Sequence, residues 1–187
     1  MRKAIGRGTF IIAAGIAAYL GFYVDDIQDA KWVDQTEQVF RRLSLEEGAD
    51  EIEVVWHHSA TRSDLKAREL CDITNERFGL GCAYFLSVHD NGKVMMLNDA
   101  DEHTPSVGGR NSRVLSICLV GNYEENRVPE IMLDRCEQIK RAFDKYDADH
   151  DDFKIKGYYF HSDFRNTACP GKHARVQLRA RGLVGSN

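Results

Sequence analysis

The sequence predicts an α/β domain with a single mixed central β-sheet flanked by helices, preceded by an N-terminal transmembrane or signal-anchor helix. Three observations carry this expectation. Short β-prone apolar runs alternate irregularly with stretches of helical periodicity, and no internal repeat interrupts them. Hydrophobic residues make up 43% and charged residues 29% of the 187 residues, with only 3 prolines, which is the balance of one folded domain and not of a disordered or collagen-like chain. An uncharged run, Thr9 to Val24, separates a basic amino end from everything that follows.

That run opens the chain's organisation. Met1 to Gly8 holds Arg2, Lys3 and Arg7 and no acid, and the apolar stretch ends at Asp25 and Asp26, so the basic flank is expected to stay in the cytoplasm. The run is longer than the usual signal-peptide core, and Gly21-Phe22-Tyr23 offers bulky residues where a cleavage site needs small ones, which favours an uncleaved anchor. It falls short of the roughly 20 apolar residues that span a bilayer comfortably, and its alanines and glycines weaken it further, so the anchor is marginal. A buried core helix is the alternative, and it leaves the asymmetric flanks without purpose. The chain therefore divides into an anchor (1–24), a juxtamembrane helix and linker (25–50), where Trp32, Thr36, Val39, Phe40 and Leu43 recur at helical spacing, and a domain (51–187).

Within the domain, Ile52, Val54, Val55 and Trp56 form a strand that delivers His57 and His58 to a loop. Ser63 to Phe78 reads as a helix with Leu65, Leu70 and Ile73 apolar and Ser63 or Asp64 as N-cap. Tyr84 to Val88 and Lys93 to Leu97 flank His89-Asp90-Asn91-Gly92 as a hairpin, and Val114 to Val120 is a buried strand. Pro129 opens a helix over Glu130 to Tyr146, whose Met132, Cys136, Ile139 and Phe143 share one face. A last strand, Ile155 to His161, leads through a loop to Cys169-Pro170-Gly171. Lys172, Arg175, Arg179 and Arg181 read as a solvated helix face with the option of touching an anionic polymer or lipid headgroups.

A formal net charge of -4 gives no basic field for phosphate backbones, so no nucleic-acid partner is expected. Cys71, Cys82, Cys118, Cys136 and Cys169 are too few and scattered for a disulfide scaffold, and their odd number leaves at least one thiol free. A Cys71 to Cys82 bridge is open to a chain in an oxidising compartment, but spacing does not decide it. The chemistry lies in the histidine pair at 57 and 58, in His161 and in Cys169. Two histidines and one thiolate leave a fourth tetrahedral position open, the ligand count of a catalytic zinc site. Neighbouring strand residues point to opposite faces, so His57 and His58 do not both bind one ion. His58 continues the side of Ile52, Val54 and Trp56, while His57 shares its side with Val55; alternation alone does not say which side faces a cleft. Taken alone, the pair also fits a surface position with no ligand role.

The segments VVWHHSAT, GCAYFLSVHDNGKV, SICLVGNY and HSDFRNTACPG resemble, in order and spacing, the type 2 N-acetylmuramoyl-L-alanine amidases, a phage-lysozyme-like zinc amidase family, and the related peptidoglycan recognition proteins. The likeness covers about Glu51 to Arg179. It implies that the first histidine after the leading strand, here His57, binds Zn2+ with a histidine and a cysteine eight residues apart, here His161 and Cys169. It implies that Tyr84, eight residues before Gly92, faces the attacking water, and that Thr167, two before Cys169, stands where relatives carry a lysine or threonine at the reaction centre. Without the resemblance, Tyr84 reads as a half-buried strand aromatic and Thr167 as a residue bonding its own turn. Two departures stand out: His103 lies eight residues ahead of Asn111, so that loop is longer than in many relatives, and Phe85 replaces a common polar residue, which predicts a more apolar groove wall.

The resemblance implies hydrolysis of the amide between N-acetylmuramic acid and L-alanine in peptidoglycan, with Tyr84 and Thr167 as catalytic groups. That is the chemistry of an endolysin-like lysis enzyme or of a wall-remodelling hydrolase at the outer, periplasmic side of the cytoplasmic membrane. The alternative is a membrane-anchored module that binds muropeptides without cleaving them; Cys169 favours the enzyme, because binding-only relatives tend to lose the thiolate ligand. The anchor is either permanent or a signal-anchor-release segment that frees the domain when the membrane potential collapses.

Overall fold

The computed structural model describes residues 52–79, 81–98, 104–111, 113–149 and 154–186. The expected anchor, the juxtamembrane helix and His103 lie outside the described residues. Among those described, no helix is long and apolar enough to cross a membrane.

Six strands form one mixed sheet in the order β3-β2-β4-β1-β5-β6: β1 (Ile52–His58), β2 (Leu86–Val88), β3 (Val94–Met96), β4 (Val114–Leu119), β5 (Ile155–Phe160) and β6 (Gly185–Ser186). The four inner strands are parallel, and β3 and β6 close the two edges antiparallel. Parallel strands need covered faces, and β1 and β4 accordingly read as continuous buried runs. On one face α2 (Glu130–Asp149) and α4 (Lys172–Ala180) pack Met132, Cys136, Ile139, Phe143, Ala174 and Leu178 against Ile52, Val54 and Trp56. Trp56 is fully buried, and its indole N–H donates to the Leu183 carbonyl at 2.8 Å, which ties the tail to the central strand. The other face carries two smaller clusters, one around Leu65, Leu70, Cys118 and Val120, the other around Val55, Val107 and Val114.

Several elements differ from expectation. The helix predicted from Ser63 begins later, as α1 (Ala67–Phe78). The Glu69 carboxylate accepts the Lys66 N–H at 2.9 Å and starts the helix there, while Leu65 turns inward ahead of it. Ile73, expected on the apolar face, is 39% exposed. The hairpin strands are shorter than predicted, closed by the Gly92 N–H on the His89 carbonyl. Phe85 is no groove wall: it lies 2% exposed in the main core, on the face opposite Tyr84's contacts. His161 is not the end of β5 but the first residue of a single turn, α3 (His161–Phe164). Arg181 is no solvated cation, since Glu130, Asp134 and Glu137 of α2 all pair with it. Cys71 and Cys82, not separable by spacing into bridge or free thiols, form a disulfide across 11 residues, a loop closure of about 2–4 kcal/mol.

One glycine fixes the approach of the last loop to the sheet. Gly171 sits at φ +96, and a Cβ there would overlap backbone atoms of Tyr123 and Glu124. Both the torsion and the contact exclude a side chain. Gly171→Ala is therefore expected to lower stability by about 2 kcal/mol or more, read as a fall in thermal midpoint; an unchanged midpoint would show that the loop repacks at no cost.

Candidate metal centre

β1 and β5 run side by side with Trp56 opposite Phe160, so the residues that follow, His57 and His161, emerge next to each other at the carboxyl ends of the parallel strands. Crevices at such ends are where α/β sheets place their sites. The Asp163 carboxylate accepts the Phe160 N–H at 2.8 Å and turns the chain off the sheet at His161. The two imidazole rings lie with centroids 4.6 Å apart. Cys169 arrives on the loop behind them, where the Thr167 hydroxyl accepts its N–H at 3.2 Å and its carbonyl accepts the Ser162 N–H at 3.1 Å. The backbone N–H of His58 donates to Cys169 Sγ at 3.3 Å.

The donor atoms of His57, His161 and Cys169 thus lie within 4.8 Å of one another. His57 is 1% exposed; its Nδ1 is 3.7 Å from Cys169 Sγ, and its buried Nε2 has no hydrogen-bond partner among the described residues. A buried imidazole with an unpaired nitrogen is costly unless something binds it. Burial, then the neighbouring His161 and His58, push the His57 imidazole well below its ordinary range, and burial with Arg165 lowers His161. Both are neutral at pH 7, the form that donates a lone pair. Burial pushes the Cys169 thiol up to about 12, against the smaller opposing effects of the His58 N–H and Arg175. Such a thiol stays protonated until a cation compensates its charge, and two imidazoles with one thiol are a donor set that suits zinc. The residues fit the ion.

His58 is turned away from this cluster. Its Nδ1 accepts the Tyr123 N–H at 3.1 Å on the side of the main core, where it joins β1 to the segment after β4. Alternation separated the two histidines, and the face bearing Val55 is the one that opens on the site. Tyr84 packs beside the cluster with its ring centroid 5.3 Å from that of His57. Its hydroxyl reaches the buried thiol of Cys118, which is paired with His57 in the β1–β4 register. Burial, followed by Cys118 and Cys169, raises the Tyr84 phenol well above its ordinary range, so it keeps its proton. Thr167 bonds its own turn through the Cys169 N–H, the local role open to it from sequence, and this contact supports the cysteine from behind. Cys118 is a core thiol of β4, opposite His57 in the register.

The sequence pattern of the family described as N-acetylmuramoyl-L-alanine amidase matches residues 52–172, well over half of the chain. Among solved structures, the chain is similar to the endolysin N-acetylmuramoyl-L-alanine amidase LysCS from Clostridium intestinale URNW, with 22% identity, a TM-score of 0.61, and 73% of this chain covering 86% of that one. It is similar to Drosophila peptidoglycan recognition protein SD, at 20% identity and a TM-score of 0.57, over 67% of this chain and 78% of that one. The Ph2119 endolysin from the Thermus scotoductus MAT2119 bacteriophage Ph2119 shares 18% identity at a TM-score of 0.55, over 70% and 83% respectively. At these identities the likeness establishes the fold. No curated protein matches the sequence.

The geometry predicts that the full-length chain binds one zinc ion, and that His57→Ala and Cys169→Ala each bring the metal content well below one per chain. His58→Asn, which keeps an acceptor near the Tyr123 N–H, is expected to retain it. Elemental analysis checks this ranking, and a His58 variant that loses more zinc than the His57 variant would reverse the assignment.

Proposed function

The chain belongs to the N-acetylmuramoyl-L-alanine amidase family, and on that premise we propose that it hydrolyses the amide between N-acetylmuramic acid and the L-alanine of the peptidoglycan stem peptide, with zinc held by His57, His161 and Cys169. The observation that carries this reading is the convergence of three neutral donors within 4.8 Å around a buried, unpaired imidazole nitrogen. Zinc at that place would supply a Lewis acid for the amide carbonyl and a water molecule acidified to a pKa of about 7.

The remaining work falls to the chain's own groups. Tyr84 keeps its phenolic proton and packs against His57 with its hydroxyl at Cys118, so the role assigned to it, donating to the oxygen on which negative charge develops as the amide carbon becomes tetrahedral, requires that hydroxyl to turn from Cys118 toward the site. The Thr167 hydroxyl accepts from Cys169 and retains its own proton as a second donor, without the positive charge of a lysine. The N–H of His58 stabilises the thiolate form of Cys169, and the Tyr123 bond to His58 holds that part of β1 in place. The division into an anchor (1–24), a linker (25–50) and a catalytic domain (51–187) belongs to this proposal. The basic flank and apolar run of the first 24 residues support a tether to the cytoplasmic membrane that presents the domain to the wall.

Incubating the zinc-loaded chain with purified peptidoglycan and weighing the products by mass spectrometry tests the activity. Free stem peptides beginning with L-alanine are expected, whereas muropeptides bound but intact would make the chain a recognition module. Tyr84→Phe is expected to lower kcat about 10²-fold or more with zinc content unchanged; normal kcat in that variant would reduce the tyrosine to packing.

A further inference from the structure

The chain between α1 and β2 presents Tyr84, and it is fastened from two sides. Cys71 of α1 is bonded to Cys82 through the disulfide. Also from α1, the Thr74 hydroxyl accepts the Ala83 N–H at 3.2 Å and Asn75 Oδ1 accepts the Gly81 N–H at 2.9 Å. From the other side the Asn98 amide donates to the carbonyls of Cys82 and Tyr84. Pairing with the sheet begins only at Phe85, whose N–H donates to the Ser116 carbonyl at 2.9 Å. The helix itself is lightly held: α1 buries only Leu70 and Thr74 and leaves Ile73 and Phe78 exposed. The hydrogen bonds from Thr74 and Asn75 can open one at a time. The disulfide is the covalent member of this set and keeps the Tyr84 segment and α1 moving as one unit.

We propose that Cys71 and Cys82 are a positioning pair for Tyr84: bridged, they hold its ring against His57, and reduced, they loosen residues 81–84 so that the reaction slows while the metal stays bound. The proposal rests on the amidase reading for the reaction that Tyr84 assists. The proposed metal ligands stand on β1, at the start of α3 and on the loop before α4, and neither cysteine of the bridge is among them. Cys71 is partly exposed and open to attack by a thiolate. A dithiol gives up two electrons and two protons and becomes a disulfide, while the bridge yields two thiols; an oxidant of the disulfide class reverses the exchange. The chain would then be slow in a reducing compartment and fast in an oxidising one.

The test compares the zinc-loaded full-length chain, oxidised or treated with a water-soluble phosphine, with Cys71→Ala/Cys82→Ala and with Tyr84→Phe. Reduction is expected to lower kcat on peptidoglycan about tenfold or more, with KM and zinc content unchanged, and to speed hydrogen exchange at the amides of residues 81–84. The double variant is expected to match the reduced chain and to ignore the reductant, and Tyr84→Phe to lose no further rate on reduction. Equal kcat in both redox states, unchanged exchange at Gly81 and Ala83, zinc lost in step with rate, or an undiminished effect of reduction in Tyr84→Phe would each overturn the proposal. A chain that cleaves no peptidoglycan in either state defeats the amidase reading instead, and exchange at residues 81–84 then decides whether the bridge holds the segment.

Discussion

The parallel pairing of β1 with β5 is the constraint on which the site depends. Backbone hydrogen bonds fix Val54 opposite Tyr158 and Trp56 opposite Phe160, and side chains of high volume on the core face hold that register in place. A slip of one residue would send His57 into the main core and His58 into the cleft, because strand side chains alternate between faces. With the register set, His57 and His161 have no choice but to meet. The third donor needs more support, because Cys169 lies on a loop: the Ser162 and His58 N–H groups, the Thr167 hydroxyl and the side-chain-free Gly171 together bring it within reach.

Burial gives this cluster its chemistry. Taking two imidazoles and a thiol out of water favours their neutral forms, so the site resists protonation of the histidines and equally resists ionisation of the cysteine. A dication resolves both tendencies at once, using the free lone pairs and compensating the thiolate. The same burial keeps Tyr84 protonated a few ångströms away. One physical cause, desolvation on the thinly covered face of the sheet, thus keeps two neutral imidazoles, a thiol and a phenol side by side.

How much of this is legible in the sequence follows from the range of each interaction. The alternation of a strand is local, and it correctly assigned His57 and His58 to opposite faces. The main helix after Pro129 and the buried strand from Val114 declare themselves by periodicity, and the grouping of His57, His161 and Cys169 is what the resemblance in spacing implies. Features decided by partners distant in the chain are not legible. Arg181 reads as a solvent-facing cation until α2 supplies three carboxylates, Phe85 reads as groove wall until the sheet turns it inward, and the Cys71–Cys82 bridge needs two Cβ atoms brought together by the fold. The helix starts at Ala67 and not near Ser63 for a local reason: the Glu69 carboxylate takes the Lys66 N–H.

The most direct test of the account is X-ray absorption at the zinc edge of the metal-loaded protein, which reads the ligand atoms themselves. The account predicts one sulfur at about 2.3 Å and two imidazole nitrogens at about 2.0–2.1 Å, with one further light atom completing a tetrahedron. A first shell without sulfur, or with a third imidazole in its place, would contradict it.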